Sequence, residues 1–286
     1  MNSDHSIQRK PWKRILYEKQ HYKDNYVDPV KFLDQLNVEK PANANMSLSA
    51  LFLSASVIAQ QFTVVSSFLT IYRYLLTNPN HLYAVWIIDA VLLLVGYGVH
   101  SVLDEQKHTL TESSHTVLLF GICLRIAAPV LRALTVSISR DTIHALGITF
   151  ATIHLVFHDY AYINSKVEVF SGTISTNAAM FMAIILASRL RDIELVVAFL
   201  LLAVICFSLY PSTARLIKHK SQNLYILLTI IQWIAASIAL FSLDTALFVA
   251  YEVGMICMWL LGPYVYFHMQ TYKKSMRGPW DIAEVE

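Results

Sequence analysis

The sequence predicts an all-α polytopic membrane protein, with about eight transmembrane helices behind a short amphipathic cytosolic N-terminal segment. Three observations carry that prediction. Of the 286 residues, 56% are hydrophobic and only 15% charged, where soluble domains carry about 25%. The mean hydropathy is +0.48. From Ser47 onward, apolar runs of bilayer length alternate with short polar turns. A net charge of +2 is too balanced to point to nucleic acid. Cys123, Cys206 and Cys257 lie far apart inside apolar runs without C-x-x-C spacing, so they read as small buried hydrophobes rather than a disulfide or zinc framework.

Residues 1–46 form a hydrophilic head. Arg9, Lys10, Lys13, Arg14, Lys19 and Lys23 surround Trp12, Ile15 and Leu16, whose i, i+3, i+4 spacing makes one apolar stripe of a helix opened by Pro11. Asp28-Pro29 reads as an N-cap and N1 pair opening a second short helix that buries Phe32, Leu33 and Leu36. Such a head suits an anionic leaflet or a protein partner, and equally a positive-inside flank. With no early apolar core, the first membrane segment is expected to act as the targeting signal.

The eight-helix bundle is assigned to residues 47–270, with spans near 49–72, 83–103, 116–134, 142–160, 173–189, 194–211, 223–242 and 245–267, and residues 271–286 form the tail. Asn78-Pro79, Ser139, Asp141, Gly172 and Pro211 punctuate the turns. The run at 173–189 is short and rich in Ser, Thr, Asn and Ala. With an even count, one side of the membrane collects 16 Lys and Arg and the other five, which puts both termini in the cytosol. Small residues at Ala50/Ser54, Ala55/Ala59, Gly96/Gly98 and Ala178/Ala179/Ala183/Ala187 are expected to let helix backbones approach.

The ionisable residues at membrane depth or its edge are the natural candidates for function, because a charge in hydrocarbon is expensive unless paired or hydrated. They are Asp89, Arg125, His154, Asp159, Arg189 and Glu252. His154 and His158 stand at i, i+4, a metal-chelating spacing, but no glutamate lies between them and no third ligand is evident, so no metal site is assigned. A sugar transferase would need carboxylates for metal or nucleotide, yet there is no D-x-D and the loop Thr77 to Leu82 has no acid. No catalytic residue and no cofactor is therefore assigned. A small-molecule or lipid transporter would draw on Asp89, Arg125 and Glu252 converging at mid-membrane, but no internal repeat accompanies them. Arg125 paired with Asp89 or Glu252 as structural glue is the competing expectation.

Five short stretches, in order, resemble the C-subunit family of phosphatidylinositol N-acetylglucosaminyltransferase (PIG-C family). They are Trp12 to Glu18 with Asp24 to Asp28 and Phe32-Leu33, Pro129 to His144, His154 to Tyr160, Asn177 to Leu190, and Arg277 to Glu284. His158 stands where that pattern leads one to expect an aromatic residue, and Ile282 where it leads one to expect an acid. The resemblance implies a non-catalytic subunit of the endoplasmic-reticulum complex that starts glycosylphosphatidylinositol (GPI) anchor synthesis. In that family the nucleotide-sugar chemistry belongs to a PIG-A-type catalytic subunit, and phosphatidylinositol is the acceptor. The expected role is scaffolding, with lipid positioning beside it. Trp12, Tyr17, Asn25, Tyr26 and Asp28, with Gly278, Pro279, Trp280 and Asp281, are assigned to partner docking; interfacial anchoring by Trp and Tyr is their simpler role. Arg125, Asp159 and Arg189 are assigned to polar contacts within the bundle, with lipid headgroups as the second choice.

Overall fold

A computed structural model describes residues 19, 22, 37–39, 47–78, 81–103, 121–130, 133, 138–164, 172–270, 272 and 275–277. These fall into two units, one from the two ends of the chain (residues 1–46 and 266–286) and one from residues 47–265. In the first, strand β1 (Asn37–Glu39) pairs antiparallel with β2 (Ser275–Arg277), Val38 opposite Met276. The amphipathic helices expected in the head lie outside the described residues.

The second unit is helical. Its elements are α1 (Leu48–Thr77), α2 (Leu82–Leu103), α3 (Gly121–Val130), α4 (Arg140–Phe157), α5 (Tyr160–Asn164), α6 (Thr173–Ala187), α7 (Ile193–Lys220), α8 (Gln222–Leu243) and all but the last turn of α9 (Thr245–Gln270). Among the described residues α1, α2, α7, α8 and α9 are long and apolar enough to cross a membrane. The other three expected runs correspond to α3, α4 and α6. At 15 residues α6 extends about 22 Å, less than a hydrocarbon core of about 30 Å. It sits inside the bundle instead, with Ala178, Ala179, Met182, Ala183, Leu186 and Ala187 buried, largely against α4.

Hydroxyl and carboxylate caps start the helices. Ser47, Ser139 and Ser221 accept from the amides of Ala50, Thr142 and Leu224, and Asp244 from that of Ala246. Pro211, expected to end a span, instead lies inside α7. It follows a stretch of π-helix, Ile205–Leu209, and Pro263 follows another, Ile256–Leu261, in α9. A proline ring inside a helix clashes with the carbonyl four residues earlier; a widened turn there relieves the clash and lets the helix continue. The basic residues Arg215 to Lys220 consequently extend α7 rather than forming a loop.

The core is built on α1 and α7. Phe68 stacks on Phe199 with centroids 4.4 Å apart and meets Phe207 edge-on at 5.1 Å, while the Tyr72 ring lies tilted against Phe199 at 5.8 Å. Leu195 to Leu200 are all buried. By contrast α2, α8 and α9 leave most of their apolar side chains uncovered, as a lipid- or partner-facing shell does.

Close backbone approach does not occur at the Gly96/Gly98 pair. A Cβ on Gly98 would meet nothing within 4 Å, and one on Gly96 only Thr213 Oγ1 at 3.9 Å, because α2 is thinly covered. The tight positions are Gly147, where a Cβ would sit 3.1 Å from Leu186 Cδ2, and Gly254, where it would sit 2.8 Å from Phe62 Cζ. Gly147→Leu is therefore expected to force α4 from α6 at a cost of about 1–3 kcal/mol. Gly98→Ala should leave thermal unfolding of the detergent-purified chain unchanged, and a scan of the two variants side by side checks both.

Candidate functional site

The most developed polar constellation is buried where α1, α4 and α6 meet. Gln61 Nε2 lies 2.6 Å from His154 Nε2. The Nδ1 on the other side of the ring lies 2.9 Å from the Ser175 carbonyl and 2.8 Å from its Oγ, and that hydroxyl donates to the His154 carbonyl at 3.0 Å. An amide NH2 only donates, so His154 Nε2 accepts and the proton sits on Nδ1, pointing at Ser175. A neutral ring suits a residue with 0% exposure and no carboxylate among these partners. His158 approaches Ser175 Oγ at 3.4 Å, and its ring lies 5.4 Å from that of His154. The seam is closed to solvent and both nitrogens of His154 are engaged, so the arrangement joins three helices.

The other ionisable candidates are held separately. Arg125 pairs with Glu194 at 2.7 Å, both side chains about half exposed. The expected partners Asp89 and Glu252 are thus corrected: α3 presents Arg125 to the first turn of α7 instead. Glu252 accepts from Trp233 Nε1 at 3.1 Å and Ser237 Oγ at 2.5 Å, tying α9 to α8. Asp89 is buried on the face of α2 that packs on α7, and neither carboxylate oxygen has a hydrogen-bond partner among the described residues. Asp159 accepts from the amide of Tyr162 and so starts α5. Arg189 donates to the Ile138 carbonyl, pinning the turn before α4 to the end of α6. Asp89, Arg125 and Glu252 do not converge.

Sequence reasoning missed two groups. Gln60, Gln61 and Thr63 passed as unremarkable polar residues of a long apolar run, and they turn out to carry the contacts of α1. Lys218, counted only among the 16 basic residues that set orientation, is 7% exposed; its Nζ donates to Asn164 Oδ1 at 2.6 Å and to the Leu53 carbonyl at 3.3 Å, and lies 4.9 Å from the Tyr225 ring centre. Arg215, one turn earlier, lies 4.6 Å over Tyr162. The signal that was available was spacing: Arg215 and Lys218 stand at i, i+3 on one face. The docking candidates Trp12, Tyr17, Asn25, Tyr26, Asp28, Gly278, Pro279, Trp280 and Asp281 lie outside the described residues.

The seam makes a quantitative prediction. Gln61→Leu and His154→Phe should each destabilise the chain, and the double variant should lose less than their sum. A coupling of about 1 kcal/mol is expected from a thermal or denaturant double-mutant cycle.

Likeness to known proteins runs over almost the whole chain. The family model GPI2, described as phosphatidylinositol N-acetylglucosaminyltransferase, matches residues 12–281. A relative from Dictyostelium discoideum is 33% identical over 286 residues, spanning 96% of this chain and 79% of that one. The human and mouse proteins named as the C subunit of phosphatidylinositol N-acetylglucosaminyltransferase are each 30% identical, covering 96% of this chain and 93% of theirs. No solved structure matches it. With a family match running from Trp12 to Asp281 and relatives aligned almost end to end, the chain belongs to the GPI2 family, that of the C subunit of phosphatidylinositol N-acetylglucosaminyltransferase.

Proposed function

We propose that this chain is a non-catalytic, multi-span subunit of the complex that transfers N-acetylglucosamine from UDP-N-acetylglucosamine to phosphatidylinositol, the first step of GPI-anchor synthesis, in the endoplasmic-reticulum membrane. The observation that carries this reading is the end-to-end likeness to proteins named as the C subunit of that transferase. The sugar-nucleotide chemistry resides on a separate, PIG-A-type subunit. This chain anchors that subunit and holds the phosphatidylinositol acceptor at the depth where its inositol hydroxyl meets the donor. Fixing two reactants in register removes a large part of a bimolecular barrier, so a subunit without catalytic groups is still required for turnover.

In this reading the chain crosses eight times and both termini face the cytosol. Two features support an even count. The β1–β2 ladder joins backbone before the first span to backbone after the last, which an odd number of crossings would prevent. Contacts within the bundle also alternate. Lys218 and Asn164 meet the start of α1 near Leu53 and Ser54, whereas Tyr72 and Arg73, near its end, lie beside His144 and the α8–α9 turn. Five long helices alone would give an odd count; in this reading α3, α4 and α6 carry the chain through the remaining passes, α6 crossing within the bundle, where its neighbours cover its ends. The basic end carrying Arg215 and Lys218 then faces the cytosol, where the reaction takes place.

Two experiments test the proposal. Affinity purification of the tagged chain from endoplasmic-reticulum membranes in mild detergent is expected to bring down transfer of N-acetylglucosamine to phosphatidylinositol, with none from the chain purified alone. Activity from the chain alone would overturn the non-catalytic assignment, and a partner-free, inactive eluate would favour the transporter reading. The docking role of the two ends is checked by Asp28→Ala with Trp280→Ala, which should reduce co-purification of the catalytic subunit by at least about tenfold if the pair contributes as interface anchors do. Unchanged recovery would leave those residues as membrane anchors only.

A further inference from the structure

A groove of about 220 Å³ opens on the side of the bundle between α1, α8 and α9. Phe62, Leu69, Leu240, Leu243, Leu247 and Tyr251 give it an apolar wall, and Arg73 stands at one end. Two of the lining hydroxyls are satisfied internally: Thr70 Oγ1 donates to the Ser66 carbonyl at 2.7 Å, and the Tyr251 hydroxyl bonds Thr63 at 2.9 Å. Arg73 is exposed, and its guanidinium has no hydrogen-bond or ion-pair partner among the described residues.

Dimensions and chemistry together select an occupant. Phe62 and Arg73 are eleven residues apart on α1, about 16 Å along the axis at 1.5 Å per residue. That is about half of a hydrocarbon core of about 30 Å, the depth of one leaflet. The volume falls below the roughly 300 Å³ at which pockets for compact ligands begin, and the groove is open along its flank, so it takes a slender chain rather than a globular molecule. At its aqueous end a planar, permanently charged fork is matched to phosphate oxygens. We propose that this groove binds a net-negative glycerophospholipid, one acyl chain lying along Phe62, Leu69 and Leu247 and the phosphate bridged by Arg73. The site lies at the end of α1 away from Lys218 and Arg215 and so, in the proposed topology on which this inference rests, on the side of the membrane away from the transfer reaction, where it holds a resident lipid.

The test uses the assembled complex, reconstituted in vesicles of phosphatidylcholine with a minority of phosphatidylserine, re-extracted in mild detergent, and analysed for retained lipid by mass spectrometry. The unaltered complex is expected to retain phosphatidylserine in preference to phosphatidylcholine. Arg73→Gln should lower the amount of phosphatidylserine retained about tenfold, the worth of a charge-assisted contact, and Arg73→Lys should restore much of it. Ala250→Phe, which fills the groove wall from α9, should remove both lipids from the site while the thermal transition and subunit recovery stay in place. Retention indifferent to both Arg73→Gln and Ala250→Phe would overturn the proposal, because the lipid would then belong elsewhere. So would a crosslink from a cysteine placed at Leu247 to another subunit in the same preparation, since a protein helix would then occupy the groove.

Discussion

The bundle depends on α1 meeting three neighbours through polar groups at membrane depth. Lipid is as apolar as leucine, so helices in a bilayer gain little from burying apolar surface against each other, and close packing with interhelical hydrogen bonds must hold them. Within four residues α1 places Gln60 3.2 Å from Thr229 on α8, Gln61 2.6 Å from His154 on α4, and Thr63 2.9 Å from Tyr251 on α9. Three directions from one stretch of helix define a hub. The aromatic stack of Phe68, Phe199 and Phe207 adds α7 on a fourth side. Because unsatisfied polar groups in hydrocarbon are costly, the same ties that hold the native arrangement penalise a slipped one.

That construction fits a protein whose proposed work is to hold others. Burial is concentrated along α1, α6 and α7, whereas α2, α8 and α9 expose apolar faces such as Ile87, Leu94, Ile234, Ile238 and Val253. Two faces result, a closed internal one of apolar and small residues joined by a few polar ties, and an external one that is apolar and broad. The ionisable residues follow the same division. His154 and Glu252 cross-link helices inside the protein, and Lys218 ties the end of α7 to α1 and α5 through neutral acceptors.

Much of this was legible in the sequence, and the exceptions share a cause. Hydropathy marks apolar runs, and the caps at Ser139 and near Asn78 follow from local rules; both depend on residues close in sequence. The partner of Arg125 depends on which helix passes beside α3, which no local pattern encodes, and it proves to be Glu194 rather than Asp89 or Glu252. Gly96 and Gly98 look like a close-approach motif but sit on a thinly covered helix, whereas the isolated Gly147 and Gly254 face Leu186 and Phe62. Pro211 reads as a stop, but the π-helical stretch before it absorbs the ring and keeps α7 continuous. Of the candidate site, the ionisable residues were visible one by one. Their division into separate contacts was not, and the glutamines beside them carried no signal that composition could reveal.

The ladder between β1 and β2 has a consequence for how the chain is made. Translation delivers Asn37–Glu39 before any membrane segment and Ser275–Arg277 after the last helix. The first strand therefore cannot close this ladder until the helices between have been made. A surface assembled from both ends exists only on a finished, correctly threaded polypeptide. An insertion error that reverses the last helix would leave its strand in the wrong compartment, and the ladder would never close. Under the proposed docking role, a partner that gripped the joined ends would thereby select against half-made or mis-threaded copies, and assembly would inspect the topology of the membrane protein without touching the membrane.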